Sequence, residues 1–103
     1  MLKAKAKIRF TVDGKDYIAH DRFDVAFRFG EGLLFSGRIS GETDAYLNKR
    51  DYNVDVAFFT IDNDEAYNMV EHTLSNNARF PICAGRKIIG DALMYDFIYD
   101  RAN

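Results

Sequence analysis

From Lys3 to Val12 the chain alternates strictly, with Ala4, Ala6, Ile8, Phe10 and Val12 in one phase and Lys3, Lys5, Lys7, Arg9 and Thr11 in the other. Strand side chains point to opposite faces in turn, so this pattern predicts a half-buried strand. Asp13-Gly14 follows, a dipeptide suited to two consecutive positive-φ positions. It predicts a tight hairpin, with Tyr17-Ile18-Ala19 as a short return strand. Phe23, Val25, Phe27 and Phe29 then alternate with Asp24, Ala26 and Arg28; Gly30-Glu31-Gly32 breaks the run before Leu33 to Ser40. That is a second hairpin.

Residues 40–51 are polar and without a clear period, a connection with about one helical turn. Tyr52 to Ile61 is the next strand, apolar on both faces in its second half. From Asp62 the period changes: Ala66, Met69, Val70 and Thr73-Leu74 fall at helical spacing, Asp62, Asp64 and Glu65 sit near the positive end of the dipole, and Asn76-Asn77 closes the run. One helix of about three turns is expected, over about residues 63–76. Pro81 restricts the start of a strand over Arg79 to Ala84, Gly85 marks a turn, and Lys87 to Tyr99 is a long strand apolar on both faces. Leu93, Tyr95, Phe97 and Tyr99 share one phase of it. Facing outward, they would be an apolar patch needing a partner or cover by the helix. Six or seven short strands joined by tight turns, with a single helix, predict a mainly β domain: a closed antiparallel barrel or a sandwich.

The chain has 103 residues, 48% hydrophobic and 29% charged, which fits one globular domain over 1–103 with a core of its own. A lone cysteine, Cys83, forms no internal disulfide, and there is no CxxC pair. The alternating start and the lack of any run of about 18 apolar residues argue against a signal peptide or membrane span, so a cytoplasmic protein is expected. The net charge of −2 gives no global attraction to nucleic acid. It nevertheless sums unlike regions. Residues 3–9 carry four cations and no acid, and residues 62–71 carry four acids and no Lys or Arg.

Candidate chemistry is sparse. His20 and His72 have no carboxylate or cysteine at metal or triad spacing. Asp62, Asp64 and Glu65 open like a calcium loop, but Tyr67 stands where glycine is needed and Thr73 where glutamate is needed, so helix capping accounts for the acids. No phosphate loop is spelled by Gly30, Gly32, Gly37 and Gly41. The expectation is therefore no catalytic residue, no metal and no cofactor. Cationic positions stand out more: Lys3, Lys5, Lys7 and Arg9 on one strand face, and Arg86-Lys87 at a turn. Edge lysines also block strand addition, so a solvated outer face competes with phosphate or acidic-protein contact as their explanation.

Residues 80–90, Phe-Pro-Ile-Cys-Ala-Gly-Arg-Lys-Ile-Ile-Gly, resemble the last hairpin of the third, C-terminal β-barrel domain of translation elongation factor Tu. Its pattern there is Phe-x-Ile-x-Glu-Gly-Gly-Arg-x-Val-Gly, matched without a gap by Phe80, Ile82, Gly85, Ile89 and Gly90, with Lys87 in place of the arginine. Arg22 to Arg28 is similar to the family's Arg-Pro-Gln-Phe-Tyr-Phe-Arg, Gly37-Arg38-Ile39 to its Gly-Thr-Ile, and Asp51 falls in its Pro-Gly-Asp turn with Lys49-Arg50 replacing Pro-Gly. The segment order agrees across nearly the whole chain, and Asp64 to Asn77 looks like an insertion.

The resemblance implies a six-stranded antiparallel barrel, no GTPase, and binding in place of catalysis. In that family the domain holds its companion domains, meets the exchange factor and touches the T stem of aminoacyl-tRNA. Carried over by position, the tRNA contacts become Asp24, Ser36, Ala84 and Gly85, of which Ser36 and Gly85 keep their chemistry; an aspartate at 24 would meet phosphate with like charge. The expected function is a stand-alone, non-enzymatic module that binds a protein, in one form an immunity- or antitoxin-like protein imitating the factor. An RNA-binding protein using the basic strand face is the alternative, and a small enzyme uniting His20 or His72 with Cys83 and a carboxylate the third reading. The partner-binding candidates are Lys3, Lys5, Lys7, Arg9, Asp24, Ser36, Gly85, Arg86 and Lys87.

Overall fold

The computed structural model describes residues 1–11, 23–41 and 49–100, and they form a closed barrel of six antiparallel strands. The strands are β1 (Leu2–Phe10), β2 (Phe23–Gly30), β3 (Leu33–Ser40), β4 (Asp51–Phe58), β5 (Ala78–Ala84) and β6 (Lys87–Tyr99), in the ring order β1-β4-β3-β2-β5-β6. Among the described residues one α-helix, α1 (Asp64–Val70), joins β4 to β5 and runs into a 3-10 turn over Glu71–Thr73. Of the barrel and the sandwich that the pattern leaves open, the structure is the closed barrel, with six strands and a helix between β4 and β5.

The alternation of β1 sets the inside and the outside of the barrel. Leu2, Ala4, Ala6, Ile8 and Phe10 are buried and the intervening residues exposed. Both edges of the strand are paired, Leu2–Arg9 against β4 and Leu2–Phe10 against β6. Inside, Phe29 meets Phe58 with ring centroids 5.2 Å apart and Phe80 at 5.0 Å, and Phe27 meets Phe58 at 5.4 Å. Edge-on and tilted rings of this kind fill the volume while satisfying the aromatic quadrupoles. Small residues make room for them. A Cβ on Gly37 would lie 2.7 Å from the Phe27 ring, and one on Gly90 would lie 2.5 Å from the Arg9 carbonyl oxygen. Among the described residues every buried side chain is apolar, Cys83 included at 1% exposure.

The seams are unequal. β2 pairs with β5 only at Ala26↔Cys83 and Phe27↔Ile82, and β3 with β4 only from Arg38 to Ser40. Pro81, which has no N–H to give a ladder, stands just past the β2–β5 contact. Beyond it an open cleft of about 760 Å³ runs between Arg28–Gly30 and Ala78–Pro81. The β2–β3 hairpin is consequently tied to the barrel near its base, with its tip free at Glu31-Gly32.

Several local expectations change. α1 has seven residues, so the regular helix is shorter than three turns; the 3-10 turn ends at Thr73, and Asn76-Asn77 instead form the turn into β5, with Asn77 at φ 68°. Its N-cap is Asn63, whose side chain accepts from the Ala66 N–H at 2.8 Å, so the cap is an amide and the flanking acids fill the first turn. β4 stops at Phe58 because Phe59-Thr60 turn back, the Ile61 N–H donating to the Phe58 carbonyl at 3.1 Å. The supposed single phase of Leu93, Tyr95, Phe97 and Tyr99 is split: β6 carries an extra residue opposite Lys3/Lys5, with Asp96 at φ 53°. Phe97 and Tyr99 therefore pack against the core, whereas Leu93 and Tyr95 stay on the outer phase. The turn at Asp13-Gly14 and the return strand at Tyr17–Ala19 lie outside the described residues.

Gly90 tests closure directly. Gly90→Ala forces a methyl group onto the β1 backbone and is expected to lower the unfolding free energy by about 2–3 kcal/mol, read from the urea midpoint. An unchanged midpoint would show that β1 and β6 do not approach this closely.

Candidate functional site

The partner-binding residues expected from sequence fall on two separate parts of the surface. Lys3, Lys5, Lys7 and Arg9 form an exposed row on the outer face of β1. Across the seams, Lys5 stands opposite Asp55, Arg9 opposite both Asp51 and Asp91, Lys7 opposite Asn53 and Leu93, and Lys3 opposite Ala57 and Ile98. Arg9 Nε donates to Asp51 Oδ1 at 2.8 Å, and Arg79 donates to Asp91 at 2.9 Å. The stripe is therefore interleaved with carboxylates supplied by β4 and β6. Sequence distance hid this, since Asp51 and Asp91 are far from residues 3–9 along the chain.

Gly85 and Arg86 form the β5–β6 turn and Lys87 opens β6, with Gly85 at φ 60° and all three exposed. The turn extends past the end of the barrel at which Phe10 pairs with Gly90, so it continues the Arg9 end of the stripe. Lys49 and Arg50 join this end: the Lys49 N–H donates to the Phe10 carbonyl at 2.9 Å, and both side chains are exposed. Neither was among the expected binding residues, although two adjacent cations in a polar connection are a legible signal. Among the described residues this end has Arg9, Lys49, Arg50, Arg86 and Lys87 against Asp51 and Asp91.

Asp24 and Ser36 lie away from the stripe, because β2 and β3 are three and two strands from β1 in the ring. Ser36 is exposed on the outer face of β3 between Leu34 and Arg38, and Asp24 stands opposite Arg38 in the β2–β3 register. Leu34 and Phe59 are 47% and 48% exposed, large values for apolar side chains of this size. The Arg38 guanidinium carbon lies 4.5 Å above the Phe59 ring centroid, within cation–π range. This face combines an aliphatic side chain, an aromatic ring, a stacked arginine and a hydroxyl group.

The end of the barrel with the Glu31-Gly32 tip is closed by α1. Ile61 and Val70 enter the core fully buried, and Tyr67 stacks on Tyr99 with centroids 4.0 Å apart and planes 2° from parallel. Tyr99 Oη also bonds to Asp64 Oδ1 at 3.1 Å. His72 is exposed on the 3-10 turn while Cys83 is buried in β5; His20 lies outside the described residues. Among the described residues no group of three or more His, Cys, Asp or Glu could hold a metal ion, and no helix is long and apolar enough to cross a membrane.

The interleaving has a measurable consequence. Replacing Asp51 and Asp55 by asparagine is expected to change stability by less than about 1 kcal/mol, because exposed ion pairs contribute little, while it delays elution from a heparin column relative to wild type. Unchanged elution would show that these carboxylates do not mask the stripe. In comparisons with known proteins, the chain matches no family model, no curated protein and no solved structure.

Proposed function

We propose that the protein is a non-enzymatic binding module, a barrel similar to the third domain of elongation factor Tu, that binds a protein partner through the outer face of its β2–β3 hairpin. The supporting observation is the group of Leu34, Ser36 and Phe59 with Arg38 over the Phe59 ring. Arginine and aromatic side chains are the residues that anchor protein interfaces, and here Arg38 of β3 and Phe59 of the turn after β4 meet on one exposed face. The filled interior supports the same reading, since Phe27, Phe29, Phe58 and Phe80 occupy the space in which a barrel of larger bore holds a ligand. In its most specific form the module is immunity- or antitoxin-like, occupying a protein that would otherwise engage the factor.

RNA binding is the second reading, and the exposed row of Lys3, Lys5 and Lys7 is what favours it. The aspartates interleaved across both seams reduce the positive potential that phosphate would feel, so protein binding ranks first.

Affinity capture compares wild type with a Leu34→Lys/Phe59→Lys variant. A stoichiometric protein captured by wild type, with at least tenfold weaker recovery by the variant, is the expected result; equal recovery, or none by wild type, overturns the assignment of this face. Titration with tRNA separates the second reading: RNA binding requires a log-log salt slope of several units, and a flat response removes it.

A further inference from the structure

The helix-capped end holds a cleft distinct from the β2–β3 face. It has a volume of about 620 Å³ and lies between the 3-10 turn and the bulge of β6. Tyr67, Leu74 and Phe97 form its apolar wall, and Glu71, Asn76 and Asp96 supply polar groups. Each part is fixed in place. Tyr67 is held by its stack on Tyr99. Glu71 donates its N–H to the Tyr67 carbonyl, and its own carbonyl accepts from Leu74 at 3.1 Å. Asp96, in the left-handed region, donates its N–H to Asn76 Oδ1 at 3.1 Å. A non-glycine residue in that region costs roughly 1–2 kcal/mol, least for Asp and Asn, so the bulge sets Asp96 in an orientation that an unbroken strand would not give.

The carboxylates of Glu71 and Asp96 are exposed and take part in no ion pair or side-chain hydrogen bond among the described residues. On the helix side their surroundings share their sign, residues 61–77 containing Asp62, Asp64, Glu65 and Glu71 and no Lys or Arg, while Lys3 and Lys5 line the separate groove on the other side of Asp96. Lys3, in the groove on the other side of the bulge, makes no ion pair with Asp96. An aromatic wall beside two available carboxylates matches a guanidinium group, whose plane stacks on a ring while its edge donates to carboxylate oxygens. An ammonium group, a compact and strongly hydrated point charge, makes poorer use of the same wall.

We propose that this cleft docks a basic segment of a protein partner through an arginine side chain, stacked against Tyr67 and Phe97 and bonded to the carboxylates of Glu71 and Asp96. The proposal rests on the reading of the protein as a protein-binding module and adds the chemistry of the segment that one partner must present.

The test is a ¹⁵N–¹H NMR titration of the intact protein with an acetylated tri-arginine peptide, with tri-lysine and tri-glutamate peptides as controls. Saturable shifts concentrated at Tyr67, Glu71, Asp96 and Phe97 are expected with tri-arginine, at least fivefold weaker with tri-lysine and absent with tri-glutamate. Glu71→Gln and Asp96→Asn should each weaken tri-arginine binding at least fivefold; asparagine tolerates the left-handed backbone, and an unperturbed spectrum of the free variant checks the fold. Shifts that spread over all acidic positions, centre elsewhere, survive both variants, or are equal for tri-lysine overturn the proposal. The two failures are distinguishable. A partner captured equally by wild type and by Glu71→Gln/Asp96→Asn leaves protein binding standing and removes this site, whereas tri-arginine binding without any captured partner removes the module reading and the docking role with it, leaving only a guanidinium-binding cleft.

Discussion

Closure of six strands around an interior of fixed volume governs the rest of the molecule. Four phenylalanine rings, Phe27, Phe29, Phe58 and Phe80, occupy the middle at centroid separations of 5.0–5.4 Å, and the strands reach one another only because Gly37 and Gly90 present no Cβ at the tightest approaches. Ala4, Ala6 and Ala92 keep other inward positions small. Large and small side chains are complementary here, so enlarging a small one strains the ring of strands and truncating a large one leaves a void. A barrel packed in this way has its polar chemistry on the outside. Every buried side chain among the described residues is apolar, and each candidate contact lies on an outer face, in a turn or at an end.

Closure also leaves two open ends, and the chain treats them differently. At one, Ile61 and Val70 from the β4–β5 connection complete the core while Tyr67 stacks on Tyr99, so the inserted segment acts as a lid. The bulge at Asp96 is the device that makes this fit. One extra residue in β6 turns Phe97 and Tyr99 from the outer phase toward the core and the helix. At the other end, Lys49 is bonded to the end of β1, and the Gly85 turn extends past it. The β2–β3 hairpin, with short ladders to both neighbours, is where the ring of strands is least restrained. Local opening follows few hydrogen bonds and exposed edges, so this hairpin can adjust to a partner without disturbing the paired core of β1 and β6.

The architecture was legible because period-two alternation is a local signal. β3 and β6 have the bounds that the pattern gives, and β1 differs by one residue at its start and two at its end. What was not legible depends on cross-strand neighbours. The row Lys3, Lys5, Lys7 and Arg9 reads in sequence as uncompensated charge, yet the barrel brings Asp55 opposite Lys5 and Asp51 opposite Arg9. Likewise no residue near Asp96 announces a bulge, since aspartate only tolerates the left-handed region and the extra residue is defined by the pairing with β1. Asn63 does not stand out in sequence as the cap, because the three acids around it match the dipole argument equally well.

The net charge of −2 describes no part of this surface well. The molecule measures 36 × 27 × 23 Å, and the screening length at physiological ionic strength is about 8 Å, so charges at the two ends are independent of each other as far as an approaching molecule is concerned. An approaching molecule therefore meets one local field at a time. At the stripe, Asp55 opposite Lys5 and Asp51 and Asp91 opposite Arg9 weaken the positive field at short range. On the connection from Ile61 to Asn77 only acids are present, and their field persists out to the screening length. A near-neutral protein can thus remain selective for the sign of its partner's charge, with the selection made where like charges are left unmixed.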